Sequence, residues 1–192
     1  MTAEVKKELT LHLTVLLFIF LFIEVAWILS GKLVFSSALL LLSGLLAGSF
    51  ILDLDHLVYW LFLYPELSES KKARELLRKK DIGGILLLLS QTHKSHTSLV
   101  FHHFIFQAIL FVLILFVFTS TGSIFGKGFI LSVGAHLLAD QWQDWKADPK
   151  HLQKWLFART PFATAPLPSS WIKNYLFFYS AALLILTYAS FR

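Results

Sequence analysis

Long apolar runs separated by short polar clusters set the pattern of this chain. Residues 9–29 are apolar apart from His12, Glu24 and two threonines, and Gly31-Lys32 follows as a tight turn. Residues 33–52 form a second run. The pattern predicts that its helix continues through Asp53-Leu54-Asp55-His56 and Leu57 to Phe62, with Pro65 ending it. Residues 66–81 are polar, and the spacing of Ala73, Leu76 and Leu77 predicts a short amphipathic helix lying on a membrane surface. Residues 82–90 are apolar but too short to span, as a re-entrant or interfacial piece would be. A polar stretch at 91–98 leads into a third apolar run, and 119–127 reads as a loop. A fourth run at 128–145 carries His136 and Asp140. Residues 146–170 are polar and contain four prolines, and a fifth run covers 171–188. Several runs approach the ~20 residues needed to cross a bilayer. The fold class expected is therefore all-α: one integral membrane domain over 1–192, a polytopic transmembrane bundle with spans at about 9–29, 33–62, 97–118, 128–145 and 171–188, plus the surface helix.

Composition sharpens this. The chain is 56% hydrophobic and 15% charged, with 19 Phe and 6 Trp and a mean hydropathy of +0.67, far from a soluble domain. Lys6 and Lys7 precede the first run as in a signal peptide. That run is too long for a cleaved core and contains Glu24, so it reads as a retained span. With the N-terminus in the cytoplasm and the C-terminus outside, cytoplasmic segments hold 14 of the 17 Lys and Arg, as the positive-inside bias requires in a cell inner or plasma membrane. The net charge of +5 is then a topology signal rather than a nucleic-acid footprint. The partners expected are the bilayer itself and anionic head groups, met by the six cations of 71–80. Oligomeric state is not legible.

No cysteine is present, so a metal would have to be held by imidazole and carboxylate. Ionisable side chains in a membrane segment are costly and mark sites or partners. Four separate stretches bring such groups to one depth near the inner end of the spans: Asp53, Asp55 and His56; His93 and His96; His102 and His103; His136 and Asp140. On helices, Asp53 and His56 share a face, as do His136 and Asp140, and His93, His96 and His103 can share another. Asp55 points elsewhere on a regular helix. These pairs predict a site for one or two divalent ions, zinc first, with manganese, iron or magnesium also compatible. The expected metal ligands are Asp53, Asp55, His56, His93, His96, His136 and Asp140. Asp53, His93 and Lys94 are the expected catalytic groups, with Lys94 holding substrate charge. His102 reads as a packing residue, and His12 and His151 as interfacial or loop residues. Asp144 also reads as a loop residue, although it continues the face of His136 and Asp140. Glu24 reads as a residue that snorkels or bonds between helices.

The order of motifs resembles that of the YdjM-like inner-membrane proteins, a family described as membrane-bound metal-dependent hydrolases. Their pattern is roughly Pro-Asp-x-Asp-His, then His-Arg-x-x-Thr-His-Ser, then His-x-x-x-Asp. Here the motifs read Leu52-Asp53-Leu54-Asp55-His56, His93-Lys94-Ser95-His96-Thr97-Ser98 and His136-Leu137-Leu138-Ala139-Asp140. The resemblance implies hydrolysis. The function expected is a membrane-embedded, metal-dependent hydrolase acting on an ester or phosphoester of a lipid or amphipathic substrate at the cytoplasmic leaflet. The alternatives are a di-iron hydroxylase or desaturase-like enzyme, which would need about eight clustered histidines, and a non-catalytic metal transporter or sensor.

Overall fold

A computed structural model describes residues 3–120, 122–165 and 167–191. Its described residues are helical or irregular, with no strand among them. The first helix, α1 (Ala3–Leu29), stops at Gly31, whose φ of +65° suits a residue without Cβ. The Lys32 amide donates to the Trp27 carbonyl (2.8 Å) and the Gly31 amide to that of Ile28 (3.1 Å). This paired closure satisfies two end carbonyls and turns the chain back.

The second run is not one continuous helix. It forms α2 (Phe35–Ile51), a break at 52–53, α3 (Leu54–Val58) and a π-helical turn (Tyr59–Leu63). Next come α4 (Ser68–Arg78), the amphipathic helix expected from the sequence, and α5 (Ile82–Thr92), capped by the Asp81 carboxylate accepting from the Gly84 amide at 2.8 Å. A 3₁₀ turn (His93–Ser95) and an irregular stretch lead to α6 (Phe104–Ser120). α7 (Ile124–Ala147) is capped by Ser123, and α8 (Pro149–Leu156) by Asp148 with Pro149 in its first turn. α9 (Ser169–Phe191) ends the described chain. α8 lies where the sequence pattern suggested only a polar stretch.

Among the described residues, three helical stretches are long and apolar enough to cross a membrane: 9–29, 35–63 and 170–191. The sequence pattern suggests five. α6 is apolar throughout, but its 17 residues extend only ~25 Å, short of the ~30 Å hydrocarbon layer. α7 has 24 residues, yet its last three turns carry His136, Asp140, Gln141, Gln143 and Asp144, which lower its apolar character.

Two cores divide the molecule. One joins α1, α2, α6, α7 and α9 through Ile23, Leu41, Leu45, Ile114, Leu131 and Leu183. The other lies under the short helices, around Trp60, Leu88, Leu152, Trp155 and Leu176. Outside the first core, α1, α6 and α9 present large apolar side chains such as Phe18, Val112, Phe116 and Phe178. This apolar surface is compatible with lipid contact.

The closest pairing, α2 with α7, depends on small residues. A Cβ on Gly44 or Gly48 would collide with the Phe125 or Phe129 carbonyl oxygen, and one on Gly128 would lie 2.8 Å from the Leu41 carbonyl. Two glycines four residues apart let the backbones touch, as in close-packed membrane helices. That contact brings the end of α2 against the middle of α7, where the polar residues begin.

Candidate metal centre

Between the two cores lies a cavity of about 80 Å³. α1, α7 and the Asp53–His56 segment form its bundle side, and α5, α8 and the irregular 93–103 stretch close it. It is far more polar than its surroundings. Six imidazoles line it (His12, His56, His93, His102, His136, His151), with the carboxylates Asp53, Asp140 and Asp144.

Asp140 is the centre of this set. Its Oδ1 lies 2.9 Å from His12 Nε2, and its Oδ2 lies 3.3 Å from His136 Nε2 and 3.7 Å from His102 Nε2. The His12 and His136 rings lie side by side with centroids 3.8 Å apart. One ligand-type atom from each of His12, His136 and Asp140 lies within 4.8 Å of the other two, a spacing that allows one cation to touch all three.

The back of each ring explains its orientation. His136 Nδ1 donates to the Ser49 carbonyl at 2.6 Å; Ser49 belongs to the last turn of α2, where carbonyls lack intrahelical partners. A neutral His136 therefore presents the lone pair of Nε2 to Asp140. His102 Nδ1 donates to Asp55 Oδ2 at 3.0 Å, with the same result. Lone pairs facing a carboxylate leave the arrangement short of positive charge, which a proton or a metal ion supplies.

Not every residue singled out in the sequence reaches the cavity. Asp53, His56, His93, His136 and Asp140 line it. Asp55 is fully buried and faces away. Its carboxylate accepts from the Val100 amide (3.0 Å), the Phe101 amide (2.6 Å) and His102. Those captured amides explain why α6 begins only at Phe104, not near 97, and why His93, His96 and His103 share no helical face. His96 lies behind His56, with its Nδ1 2.7 Å from His56 Nδ1 and its Nε2 3.2 Å from Glu69 Oε1. Both nitrogens are engaged away from the cavity, so Asp55 and His96 support ligand-type residues rather than joining them. Burial, with His93 nearby, pulls the His96 imidazole down to about 4, which keeps it neutral. His103 bonds the Ala158 carbonyl at 3.0 Å. The Lys94 side chain lies outside the described residues.

The cavity also gathers residues that sequence reasoning set aside. His12 is a lone imidazole on α1, with nothing at helical spacing to mark it. His102 reads as a packing residue along the chain, yet its Nε2 lies 3.7 Å from Asp140 Oδ2. Asp144 and His151 line the cavity as a pair, with His151 Nδ1 2.7 Å from Asp144 Oδ2. Asp144's continuation of the His136–Asp140 face was the available signal. Beneath, the Gln107 amide donates to the His102 carbonyl, and its oxygen accepts from Gln141, both at 2.8 Å, and from Tyr175. This network fixes the turn that carries His102.

No family model matches the chain, and no curated protein or solved structure is similar to it.

Proposed function

We propose that this protein is a membrane-embedded, metal-dependent hydrolase acting on an ester or phosphoester of a lipid or amphipathic substrate, as the YdjM-like resemblance implies. The observation that carries this reading is the convergence of His12, His136 and Asp140, with His102 beside them. His136 and His102 are held from behind so that Nε2 is turned inward. The donor set fits a divalent cation of the zinc class, with oxygen and imidazole ligands only. His12, His136 and Asp140 would hold it.

Such an ion supplies Lewis acidity: it lowers the pKa of water toward neutrality and polarises a carbonyl or phosphoryl oxygen. The chain's own residues then bind and move protons. Asp53 and His93, which also line the cavity, serve as proton acceptors, with His151 oriented by Asp144 as a further base. Six imidazoles and three carboxylates exceed what one four- to six-coordinate ion uses, which leaves groups for acid–base work or for a second ion. A cavity of about 80 Å³ admits a cation, its waters and one small reacting group, so the rest of a substrate must lie outside it. In the five-span reading α6 and α7 also cross the bilayer, the cations of 71–80 face anionic head groups, and the cavity lies at the cytoplasmic leaflet, where lipid ester and phosphoester groups lie.

The test is metal content followed by turnover. Full-length protein, purified, stripped and reloaded with zinc, manganese, iron or magnesium, is incubated with a total lipid extract, and products are read by mass spectrometry. Stoichiometric metal with new hydrolysis products supports the proposal. Stoichiometric metal without turnover on any lipid fraction overturns the hydrolase, and absence of bound metal overturns the centre.

A further inference from the structure

On the Asp53–His56 segment of the cavity lining, His56 presents a problem of proton placement that the surface helix resolves. His56 lines the cavity, but its Nδ1 points the other way and meets another Nδ1, that of His96, at 2.7 Å. Two neutral imidazoles at that distance share one proton: one nitrogen donates and the other accepts. Locally either assignment is possible, and they differ in consequence. If His56 accepts, its proton sits on Nε2, and the ring offers the cavity only an N–H. If His56 donates, Nε2 carries a lone pair and can bind a cation.

The far side of His96 decides between them. His96 Nε2 lies 3.2 Å from Glu69 Oε1, in the first turn of α4. The Glu69 side chain keeps 18% of its surface exposed, whereas that of His96 keeps none. An ionised carboxylate only accepts, so Nε2 of His96 must carry the proton, its Nδ1 must accept, and His56 must donate. The His96 ring cannot rotate easily out of this chain. It stacks on Tyr59 with centroids 4.0 Å apart and meets Trp60 edge-on at 5.6 Å. Tyr59 and Trp60 open the π-helical turn, a local widening often found beside functional sites.

We propose that Glu69 is a positioning residue: through the buried His96 it holds His56 in the Nδ1–H tautomer, so that His56 Nε2 faces the cavity as a free ligand for a divalent cation. The chain Glu69–His96–His56 links the membrane-surface helix to the site. A disturbance of α4 at its first turn thereby alters what the cavity can bind. The cation rests on the function proposed above; the tautomers do not.

The experiment uses full-length protein in lipid nanodiscs with ¹⁵N-labelled histidine side chains. Tautomers are read by NMR on stripped protein, and zinc affinity by chelator competition on the same samples. The His56 signals are identified by their loss in His56→Gln. Wild type should show His56 protonated on Nδ1 and His96 on Nε2. Glu69→Ala should release both, shift His56 toward Nε2–H and weaken zinc binding by about 10–100-fold, the usual range for losing an outer partner. Glu69→Gln, whose amide oxygen still accepts, should keep the wild-type tautomers and bind zinc within about threefold of wild type, as retention of that outer partner implies. Finding His56 protonated on Nε2 in wild type, or unchanged tautomers in a folded Glu69→Ala, overturns the proposal. Expected tautomers in a wild type that binds no zinc uphold the relay and overturn the metal centre instead.

Discussion

Asp55 and Asp140 are both inward-facing carboxylates with an imidazole at hand, yet they are put to opposite uses. Asp55 has 0% exposure and is surrounded by donors: two backbone amides and the Nδ1–H of His102. Its charge is met within the protein, so it organises the 100–102 turn and has no capacity to spare. Asp140 keeps 24% of its side-chain surface open and faces imidazole nitrogens, two of them on rings whose proton is committed behind. Its Oδ1 accepts from His12 Nε2 at 2.9 Å, but the ring nitrogens facing Oδ2 are acceptors whenever those two rings are neutral. Burial and proximity to histidine do not distinguish a structural acid from a ligand-type one. What distinguishes them is whether the hydrogen bonds already made balance the charge.

This contrast is broken most forcefully at Asp55. Asp55→Ala should strand two backbone amides and release the His102 ring, a loss of about 3–5 kcal/mol, as for one-sided removal of a buried charge partner. Thermal unfolding in detergent checks it. Asp55→Asn, which keeps one acceptor oxygen, should lose less and still bind metal, weakened by about 10–100-fold as for an outer-partner change. If Asp55→Asn abolished metal binding while remaining folded, the two acids would not be different in kind.

Asp140→Ala should do the reverse. Relieved of a charged group, the fold should survive with little change in unfolding temperature. Metal affinity should fall by about 100–1,000-fold, the share of one position in a four-coordinate ~10–16 kcal/mol site. His12→Ala should lose a similar factor, which elemental analysis and chelator competition would read. Unaltered affinity in both variants would move the centre elsewhere in the cavity. A third perturbation addresses the frame. Gly48→Leu forces a side chain into the Phe129 carbonyl. It should cost about 1–3 kcal/mol or more by overpacking and weaken metal binding secondarily, because the Ser49 carbonyl that orients His136 moves with it. Size-exclusion profiles and melting curves separate the two effects.

Part of this organisation was legible along the chain. Apolar length located α1, α2, α6, α7 and α9, and helical spacing linked His136 with Asp140 and Asp53 with His56, because each pair lies on one continuous piece of backbone. His12 could not be found that way. It joins Asp140 through the crossing of α1 over α7, and a crossing leaves no period in the sequence. Asp55 and His96 carry ligand chemistry at the right depth, so the sequence alone counts both among the ligands. Helical spacing already turns Asp55 away from the face of Asp53 and His56, but its capture of the 100–101 amides and the engagement of His96 with Glu69 come from tertiary contact rather than local pattern. α8 was different: Asp148-Pro149 is a helix-start signal that the density of prolines around it obscured.

The finest discrimination lies within α4, where Glu69 and Glu75 are carried by one helix. Glu69 turns inward to His96, while Glu75 pairs with Lys79 in water, with 63% and 65% of their side-chain surfaces exposed. An exposed pair one helical turn apart contributes little, because water and salt screen it. Glu75→Ala should therefore leave zinc affinity unchanged within the error of chelator competition and shift unfolding only marginally, with the small shift disappearing in high salt. Both substitutions remove one negative charge from the same surface helix, so any effect of α4's overall charge on cation attraction would appear equally in both. A loss confined to Glu69→Ala assigns the effect to the hydrogen bond with His96. Equal losses would show that the helix acts through its field, and the relay to His56 would then be unnecessary.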